Sequence, residues 1–208
     1  MTKMTVSTDG AGPARAWRNY AEETLPPMLQ TAADCFVEHG YHGTKIRAVA
    51  ARVGLSVPGL YHHYPSKHAL LVSIARFAMQ DLLERCESAL AEAGPAVEDR
   101  FRLLIECLVL FHAHRSDLAF IAASEIRSLE GDARTAHIAA RDRQQRMVDE
   151  IIDAGVAEGV FGTQYPHEAS LAIVTMCTGV AQWYRLDGAL TPEDLAVRYD
   201  AIARHALA

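Results

Sequence analysis

The sequence lacks the usual marks of a membrane, secreted or zinc protein. Its longest apolar stretch, around 172–181, is broken by threonines and falls short of the run of about 18 residues that a membrane-spanning helix needs. The opening residues, MTKMTVSTDGAGP, have no apolar centre of a secretory signal, so we expect a cytoplasmic protein. The cysteines Cys35, Cys86, Cys107 and Cys177 contain no C-x-x-C pair, which favours buried thiols over disulfides or a zinc site.

Basic charge is scarce as well. The 208 residues carry 20 Lys plus Arg against 26 Asp plus Glu, a formal net charge of -6, which on average argues against a nucleic-acid-binding protein. However, residues 39–80 contain no Asp or Glu, and they hold five Lys or Arg and five of the ten histidines. From Asp81 onward, 12 Arg stand against 21 acidic residues. A short cationic module joined to an acidic one predicts a polyanion partner for the first part, and the alternative is a chance solvated face.

Apolar residues recur at helical spacing, and no segment shows a sustained period of two. Residues 1–25, rich in Gly, Ser, Thr and Pro, are typical of a mobile tail. Four helices are then predicted at about 26–40, 44–54, 56–64 and 67–91, with Thr44, Ser56 and Ser66 as N-caps. Five more amphipathic segments follow at about 97–114, 117–129, 134–158, 167–186 and 192–206. The predicted fold is therefore all-α, with about nine helices.

The second and third helices, joined by the turn 54–56, have the helix-turn-helix pattern. The inner face takes the apolar residues Ile46, Val49, Ala50, Val53, Leu60 and Tyr64. The outer face takes Lys45, Arg47 and Arg52 of the second helix and Val57, Pro58, Tyr61 and His62 of the third. Such a third helix lies in the major groove of DNA with its amino-terminal residues nearest the base edges.

Residues 29–71, LQTAADCFVEHGYHGTKIRAVAARVGLSVPGLYHHYPSKHALL, resemble the DNA-binding domain of TetR-family transcriptional regulators. The motifs that carry the resemblance are Gly40-Tyr41, Thr44, Ala50 with Gly54, Leu60-Tyr61 and Tyr64-Pro65-Ser66-Lys67. The resemblance implies a three-helix helix-turn-helix DNA-binding domain at 26–72. It also implies a larger helical ligand-binding and dimerisation domain at 73–208.

The same resemblance implies roles for individual residues. The phosphate backbone would be held by Thr44, Lys45, Tyr61, His63 and Lys67. The groove would be faced by Arg47, Val57, Pro58, Gly59 and His62, with Ser56 opening the helix. Arg47 is the candidate for a base-specific contact, because an arginine can bridge O6 and N7 of guanine. Gly59 and His68 depart from the family pattern, which often has a hydroxyl residue and a glutamate there, and ordinary packing is the alternative for Tyr61.

Residues 111–129 and 183–196 are similar to the carboxy-terminal domains of actinobacterial regulators of fatty-acid and sterol breakdown. Several of those regulators respond to acyl-coenzyme A thioesters, which implies an effector of that kind. The candidate ligand-binding residues are Phe111, His112, Met176 and Trp183 for an apolar group, and Arg115, Arg127 and Arg185 for phosphates. The alternative for His112 is a hydrogen-bonded core residue, and that for the arginines is a compositional bias. The resemblance to the TetR family also implies dimerisation through the last two helices, where a small-residue patch and apolar stripes are provided by Gly179, Val180, Trp183, Leu195, Tyr199 and Ile202.

These features predict a dimeric transcriptional repressor that binds an inverted-repeat operator on double-stranded DNA and is released by a small effector. We expect no enzyme activity, cofactor or metal site. The neighbouring His62 and His63 would point about 100° apart on a helix, and residues 54–59 lack the G-x-S-x-G spacing. Two alternatives remain: a DNA-binding regulator that activates or needs no effector, and an all-α small-molecule-binding protein or enzyme.

Overall fold

The computed structural model describes residues 16–21 and 25–208, and within them the chain forms nine α-helices and no strand. The helices are α1 (Pro27–Gly43), α2 (Ile46–Val53), α3 (Val57–His63), α4 (Lys67–Ala93), α5 (Val97–His114), α6 (Ser116–Ser124), α7 (Gly131–Ala157), α8 (Pro166–Trp183) and α9 (Pro192–Ala206). A short 3₁₀ helix, Glu125–Ser128, connects α6 to α7. The all-α prediction is confirmed.

One apolar core joins α1, α2 and α3 to the first half of α4 and to α6. Phe36, Leu60 and Ile74 are each at most 1% exposed at its centre. Leu118 of α6 and Leu129, which follows the 3₁₀ helix, belong to the same core. The three-helix module is therefore packed against the rest of the chain through buried side chains, and α4 crosses the predicted boundary between residues 72 and 73 without a break.

A second core forms around α5, which is buried along most of its length between α4, α7, α8 and α9. The rings of Phe101 and Phe161 meet edge to face, with centroids 5.2 Å apart. Gly155 of α7 makes room for this pair, because a Cβ atom at that position would overlap the Phe161 ring. Both α4 and α6 contribute side chains to the two cores, so the three-helix module is joined to the second core through these two helices.

Several helix ends differ from the prediction by two or three residues, and at two places the local structure itself is different. The prediction that Thr44 caps α2 is wrong, because the Thr44 hydroxyl lies inward, 2.8 Å from the carbonyl oxygens of both Cys35 and Gly40. Lys45 occupies the N-cap position of α2 without a side-chain cap. The segment predicted as one helix at 117–129 leaves the α-helical form at Glu125 and continues as the 3₁₀ helix. Ser128 at the end of this turn and the following Leu129 are buried, at 8% and 3% exposed.

The prediction of a mobile tail at 1–25 is wrong for residues 16–21 and for Leu25, which is 4% exposed in the first core. Residues 1–15 and 22–24 lie outside the described part of the chain. Trp17 is 2% exposed and belongs to the second core. Its indole Nε1 donates to Glu92 Oε2 at 2.7 Å. The fully buried Arg85 donates to the carbonyl oxygens of Trp17 and Asn19, so these residues are part of the folded body.

All four cysteines are buried free thiols, as the sequence predicted. The Sγ atoms of Cys86 and Cys107 are 3.9 Å apart, and burial raises the pKa of the Cys177 thiol to about 12. Buried protonated thiols of this kind behave as small apolar residues. Among residues 16–21 and 25–208, no helix combines the length and hydropathy required to cross a membrane.

Candidate DNA-binding surface and ligand cleft

The turn between α2 and α3 is built by local interactions. Gly54 has φ 75° and ψ 24°, the left-handed conformation that ends α2, and its N–H reaches back to the carbonyl oxygens of that helix. The Ser56 hydroxyl accepts a hydrogen bond from the Gly59 N–H at 3.1 Å and thereby caps α3. Leu60, which is fully buried, anchors α3 to the core. The opposite side of α3 is therefore left facing solvent.

The outer face of the module carries most of the predicted DNA-binding residues. The exposed ones are Lys45, Arg47, Ser56, Pro58, Tyr61, His62 and His63, while Val57 and Gly59 are half-buried. Tyr61 is 40% exposed, so it does not serve as the packing residue that was the alternative for it. At Gly59 a Cβ atom would lie 3.3 Å from the Ser56 oxygen, so the glycine also keeps the cap of α3 unstrained.

Thr44 and Lys67 take positions that the helical pattern did not predict. Thr44 is 2% exposed and its hydroxyl is bonded inward, so its side chain is not on the outer face. Lys67 is half-buried, and its Nζ donates to the carbonyl oxygens of Tyr41 at 2.7 Å and Thr44 at 3.0 Å. The same ammonium lies 4.4 Å from the centre of the Tyr41 ring. Lys67 therefore braces the segment between α1 and α2.

A cleft of about 390 Å³ lies between α4 and α7. Its interior is apolar and is formed by Val72, Ala75, Met79, Leu83, Leu129, Ala133, Ala136 and Ala140. Polar and charged residues complete its lining, namely Arg76, Gln80, Glu84, Glu87, His137 and Arg143. The guanidinium of Arg143 on α7 is paired with the Glu87 carboxylate on α4. A volume of this size and an apolar lining are typical of a small-molecule site.

The cleft exists because small residues line one face of α7. Ala133, Ala136 and Ala140 recur at a spacing of three and four, so they share one face of the helix. Because alanine ends at Cβ, that face leaves space in front of the longer side chains of α4. His137 lies beside these alanines, with its Nε2 2.9 Å from the Ala122 carbonyl oxygen. Burial lowers the pKa of this histidine. Sequence reasoning missed this site, although the alanine spacing was a visible signal.

The seven predicted ligand-binding residues are not brought together, and none of them lines the α4–α7 cleft. Phe111 and His112 lie within the second core, 1% and 5% exposed, and Met176 packs against it half-buried. Arg115 donates to the Tyr20 carbonyl oxygen at 3.2 Å and has Nε 3.5 Å from Asp81. Arg127 and Trp183 are exposed. Arg185 is exposed as well and lines a separate open cavity of about 540 Å³ with Phe120 and Leu186.

His112 is a hydrogen-bonded core histidine. Its Nδ1 lies 2.7 Å from the Leu108 carbonyl oxygen, and burial lowers its pKa to about 4 from the ordinary 6.5. Below pH 6.5 the unfolded chain binds a proton at His112 that the folded chain binds only near pH 4. Stability is therefore expected to fall by roughly 3 kcal/mol between pH 7 and pH 4 on account of this residue.

Urea unfolding of the wild type and of His112→Leu at pH 7, 6, 5 and 4 measures this contribution. The two proteins should differ in the slope of stability against pH, with the wild type losing more on acidification. A His205→Leu variant is the matched control, because His205 is exposed and makes a comparable Nδ1 contact to a helix carbonyl, that of Ala201. Parallel curves for the wild type and His112→Leu would contradict the expectation.

No group of three or more His, Cys, Asp or Glu side chains in residues 16–21 and 25–208 is arranged to hold a metal ion. The histidines of α3 illustrate why. The rings of His62 and His63 are nearly perpendicular, at 78°, with centroids 5.6 Å apart. Both are exposed on the outer face described above.

An exposed helix-turn-helix face joined through α4 to a larger helical body with a ligand-sized cleft is the architecture of a bacterial DNA-binding regulator. The family description "Bacterial regulatory proteins, tetR family" matches residues 28–74, and "Tetracyclin repressor-like, C-terminal domain" matches residues 94–207. The chain belongs to the TetR family. It is accordingly a helix-turn-helix transcriptional regulator and not an enzyme.

Several known proteins are similar to this chain over most of its length. The HTH-type transcriptional repressor KstR2 of Mycobacterium tuberculosis (strain ATCC 25618 / H37Rv) is 27% identical over 177 residues, which cover 84% of this chain and 88% of KstR2. The TetR-family regulator PfmR from Thermus thermophilus has a TM-score of 0.79 at 29% identity, with 88% of this chain and 100% of PfmR covered. AibR, solved with isovaleryl coenzyme A and operator DNA, has a TM-score of 0.74 at 26% identity, with 84% of this chain and 95% of AibR covered.

Proposed function

We propose that this protein is a transcriptional repressor that binds an inverted-repeat operator as a dimer and releases it when an acyl- or steroid-coenzyme A thioester binds between α4 and α7. Residues 26–72 would read the DNA, and residues 73–208 would bind the ligand and dimerise. Such a role would place the protein in the cytoplasm. The observation that carries the effector part is the apolar cleft with arginines in its lining.

The DNA-binding part is supported by the exposure of the predicted residues. Arg47 is exposed in the first turn of α2 and His62 in the last turn of α3, and both could reach base edges from the outer face of the module. Lys45 and Tyr61 are exposed on the same face and suit the phosphate backbone. Residues 39–80 contain no Asp or Glu. This segment therefore has no carboxylate that would repel the phosphates of DNA. Thr44 is not part of the proposed interface, and Lys67 acts there mainly as a brace.

The dimer is supported by apolar side chains left uncovered on the last two helices. Trp183 is 53% exposed at the end of α8, and Val197 and Ile202 of α9 are 71% and 53% exposed. Val180 and Leu195, predicted at the interface, are instead buried in the second core, so they would support the interface from behind. A two-fold dimer would present two copies of α3 to half-sites about 34 to 36 Å apart or a multiple of that distance.

The acyl group and the nucleotide of a coenzyme A thioester would bind in two different parts of the cleft. The acyl chain or ring system would lie against the alanine face of α7. The nucleotide phosphates would meet Arg76 and Arg143, and Arg143 would exchange its pairing with Glu87 for a phosphate. These two arginines replace Arg115, Arg127 and Arg185, the candidates predicted from the sequence. That AibR was solved with isovaleryl coenzyme A supports a ligand of this class. To release the operator, the thioester must bind the DNA-incompetent arrangement more tightly.

Calorimetric titration of the full chain tests the effector. The ligands are isovaleryl-, octanoyl- and palmitoyl-coenzyme A, the thioester of a steroid carboxylic acid, and the corresponding free acids. We expect at least one thioester to bind more tightly than about 100 μM and to weaken binding to a duplex selected by the protein from a random library. If no thioester binds while the duplex is still bound, the effector proposal is wrong.

Filling the cleft provides the matched variant. Ala140→Phe places a ring in the space between α4 and α7, so the affinity for the best thioester should fall at least about tenfold while the selected duplex is bound as before. Ala139→Phe is the control, because Ala139 is exposed on α7 and does not line the cleft. Equal thioester affinity in both variants would place the site elsewhere.

A further inference from the structure

Near the carboxy-terminal end of α1, one backbone N–H is hydrogen-bonded to a residue that is distant in the sequence. Gly40 interrupts α1 with φ 69° and ψ 161°, and this ψ turns the next peptide out of the helical hydrogen-bond ladder. The N–H of Tyr41 donates instead to Glu125 Oε1 of the 3₁₀ helix, 3.1 Å away. The Glu125 carboxylate, 84 positions further along the chain, thus replaces the backbone carbonyl oxygen that would accept this hydrogen bond in a regular helix.

The neighbouring residue is held by the same 3₁₀ helix. The Ser128 hydroxyl donates to Glu125 Oε2 at 2.9 Å, and its oxygen lies 3.3 Å from His42 Nε2. Since the hydroxyl hydrogen is committed to Glu125, the oxygen can accept from His42 when that nitrogen carries the proton. Two consecutive residues at the end of α1 are therefore tied to one carboxylate, one directly and the other through Ser128.

A second element also holds this segment, since Lys67 of α4 donates to the carbonyl oxygens of Tyr41 and Thr44. The link 40–45 is thus gripped by α4 and by the 3₁₀ helix, and α2 begins directly after it at Ile46. Its last residue, Lys45, and the second residue of α2, Arg47, belong to the proposed DNA-binding face. A displacement of the link would therefore move residues that face DNA.

The 3₁₀ helix also adjoins the ligand cleft. Leu129, the residue directly after Ser128, is 3% exposed and forms part of the cleft wall between α4 and α7. We infer that Glu125 is a positioning residue for DNA binding, which sets the α1–α2 link through the Tyr41 N–H and transmits movement of Leu129 to that link when the cleft is filled. The second half of this inference rests on the proposed function, whereas the first half does not.

Amide hydrogen exchange of the full-length protein tests the positioning role without DNA or ligand. In Glu125→Ala the Tyr41 amide should exchange about tenfold faster or more, since a hydrogen bond to a charged acceptor is lost. Glu125→Gln retains an oxygen acceptor and should fall between Glu125→Ala and the wild type. Asp132→Ala, which removes an exposed acid from the first turn of α7, should match the wild type. Unchanged exchange in Glu125→Ala would overturn the positioning role.

Binding to the selected duplex tests the consequence for DNA. Glu125→Ala should bind the duplex about two- to thirtyfold more weakly than Asp132→Ala. It should bind the best coenzyme A thioester as tightly as the wild type, but that ligand should change its DNA affinity by a much smaller factor. A full ligand effect in Glu125→Ala would overturn the transmission. If no thioester binds the wild type, the proposed effector is wrong, and the exchange of the Tyr41 amide still decides the positioning role.

Discussion

Replacing Arg85 by alanine is expected to lower the free energy of unfolding by about 3 to 5 kcal/mol, the usual result of removing one partner from a buried ion pair. Arg85 is fully buried in α4, and its Nε donates to Asp81 Oδ1 at 2.8 Å. Its other contacts are with the amino-terminal segment, through the carbonyl oxygens of Trp17 and Asn19 and the ring of Tyr20, 4.0 Å away. Alanine would leave a cavity, a buried carboxylate without this guanidinium, and a segment without its anchor.

Urea unfolding at a fixed protein concentration measures this loss, and the concentration is fixed because a dimer would gain stability with concentration. Arg102→Ala is the matched control. Arg102 also pairs with acidic residues, Asp99 and Glu106, but its side chain is 47% exposed, and exposed pairs contribute about 0 to 1 kcal/mol. A loss of less than about 1 kcal/mol for Arg85→Ala would show that the packing around Arg85 relaxes without cost.

Arg47→Ala is expected to relax operator recognition at one base pair of each half-site and to reduce discrimination there by about 1 to 3 kcal/mol. Arg47 is exposed in the first turn of α2 and belongs to the proposed DNA-binding face. An arginine in that place can donate two hydrogen bonds to a guanine, and alanine cannot. Because the expected loss concerns one contact, binding to operators already mutated at that base pair should change little.

Fluorescence anisotropy with a panel of duplexes, each changed at one base pair of the selected operator, measures the specificity profile. Arg52→Ala is the control on the same helix. The Arg52 guanidinium is paired with Glu38 at 2.9 Å and holds the pKa of that carboxyl below its usual value, so its removal should leave the profile unchanged. An equal loss on every duplex for Arg47→Ala would assign Arg47 to the phosphate backbone instead.

Most of the helix-turn-helix could be predicted because its determinants are local. The left-handed Gly54 that ends α2 and the Ser56 cap of α3 each depend on residues within three or four positions. The period of the apolar residues then distinguishes the buried Leu60 from the exposed Tyr61. Thr44 shows the limit of this reasoning, because a threonine before a helix suits a cap equally well whether or not its hydroxyl has a better partner in the core.

The ligand site could not be predicted in the same way, because a cleft depends on where two helices leave space. Phe111, His112 and Met176 have the residue types of a ligand pocket, yet they fill the second core. The cleft lies where Ala133, Ala136 and Ala140 of α7 face α4. The pattern of small residues is present in the sequence, but only the packing of α7 against α4 shows that no other side chain of residues 16–21 and 25–208 fills that face.

The sequence by itself determined the helices of the described chain, the turn of the DNA-binding motif and the separation of basic from acidic segments. These depend on spacing, caps and charge, which are properties of neighbouring residues. The tertiary structure decided the burial of Trp17, the brace at Lys67, the α4–α7 cleft and the bond from Tyr41 to Glu125. Each of these joins residues far apart in the chain, and such contacts form only when the helices pack at particular distances and angles.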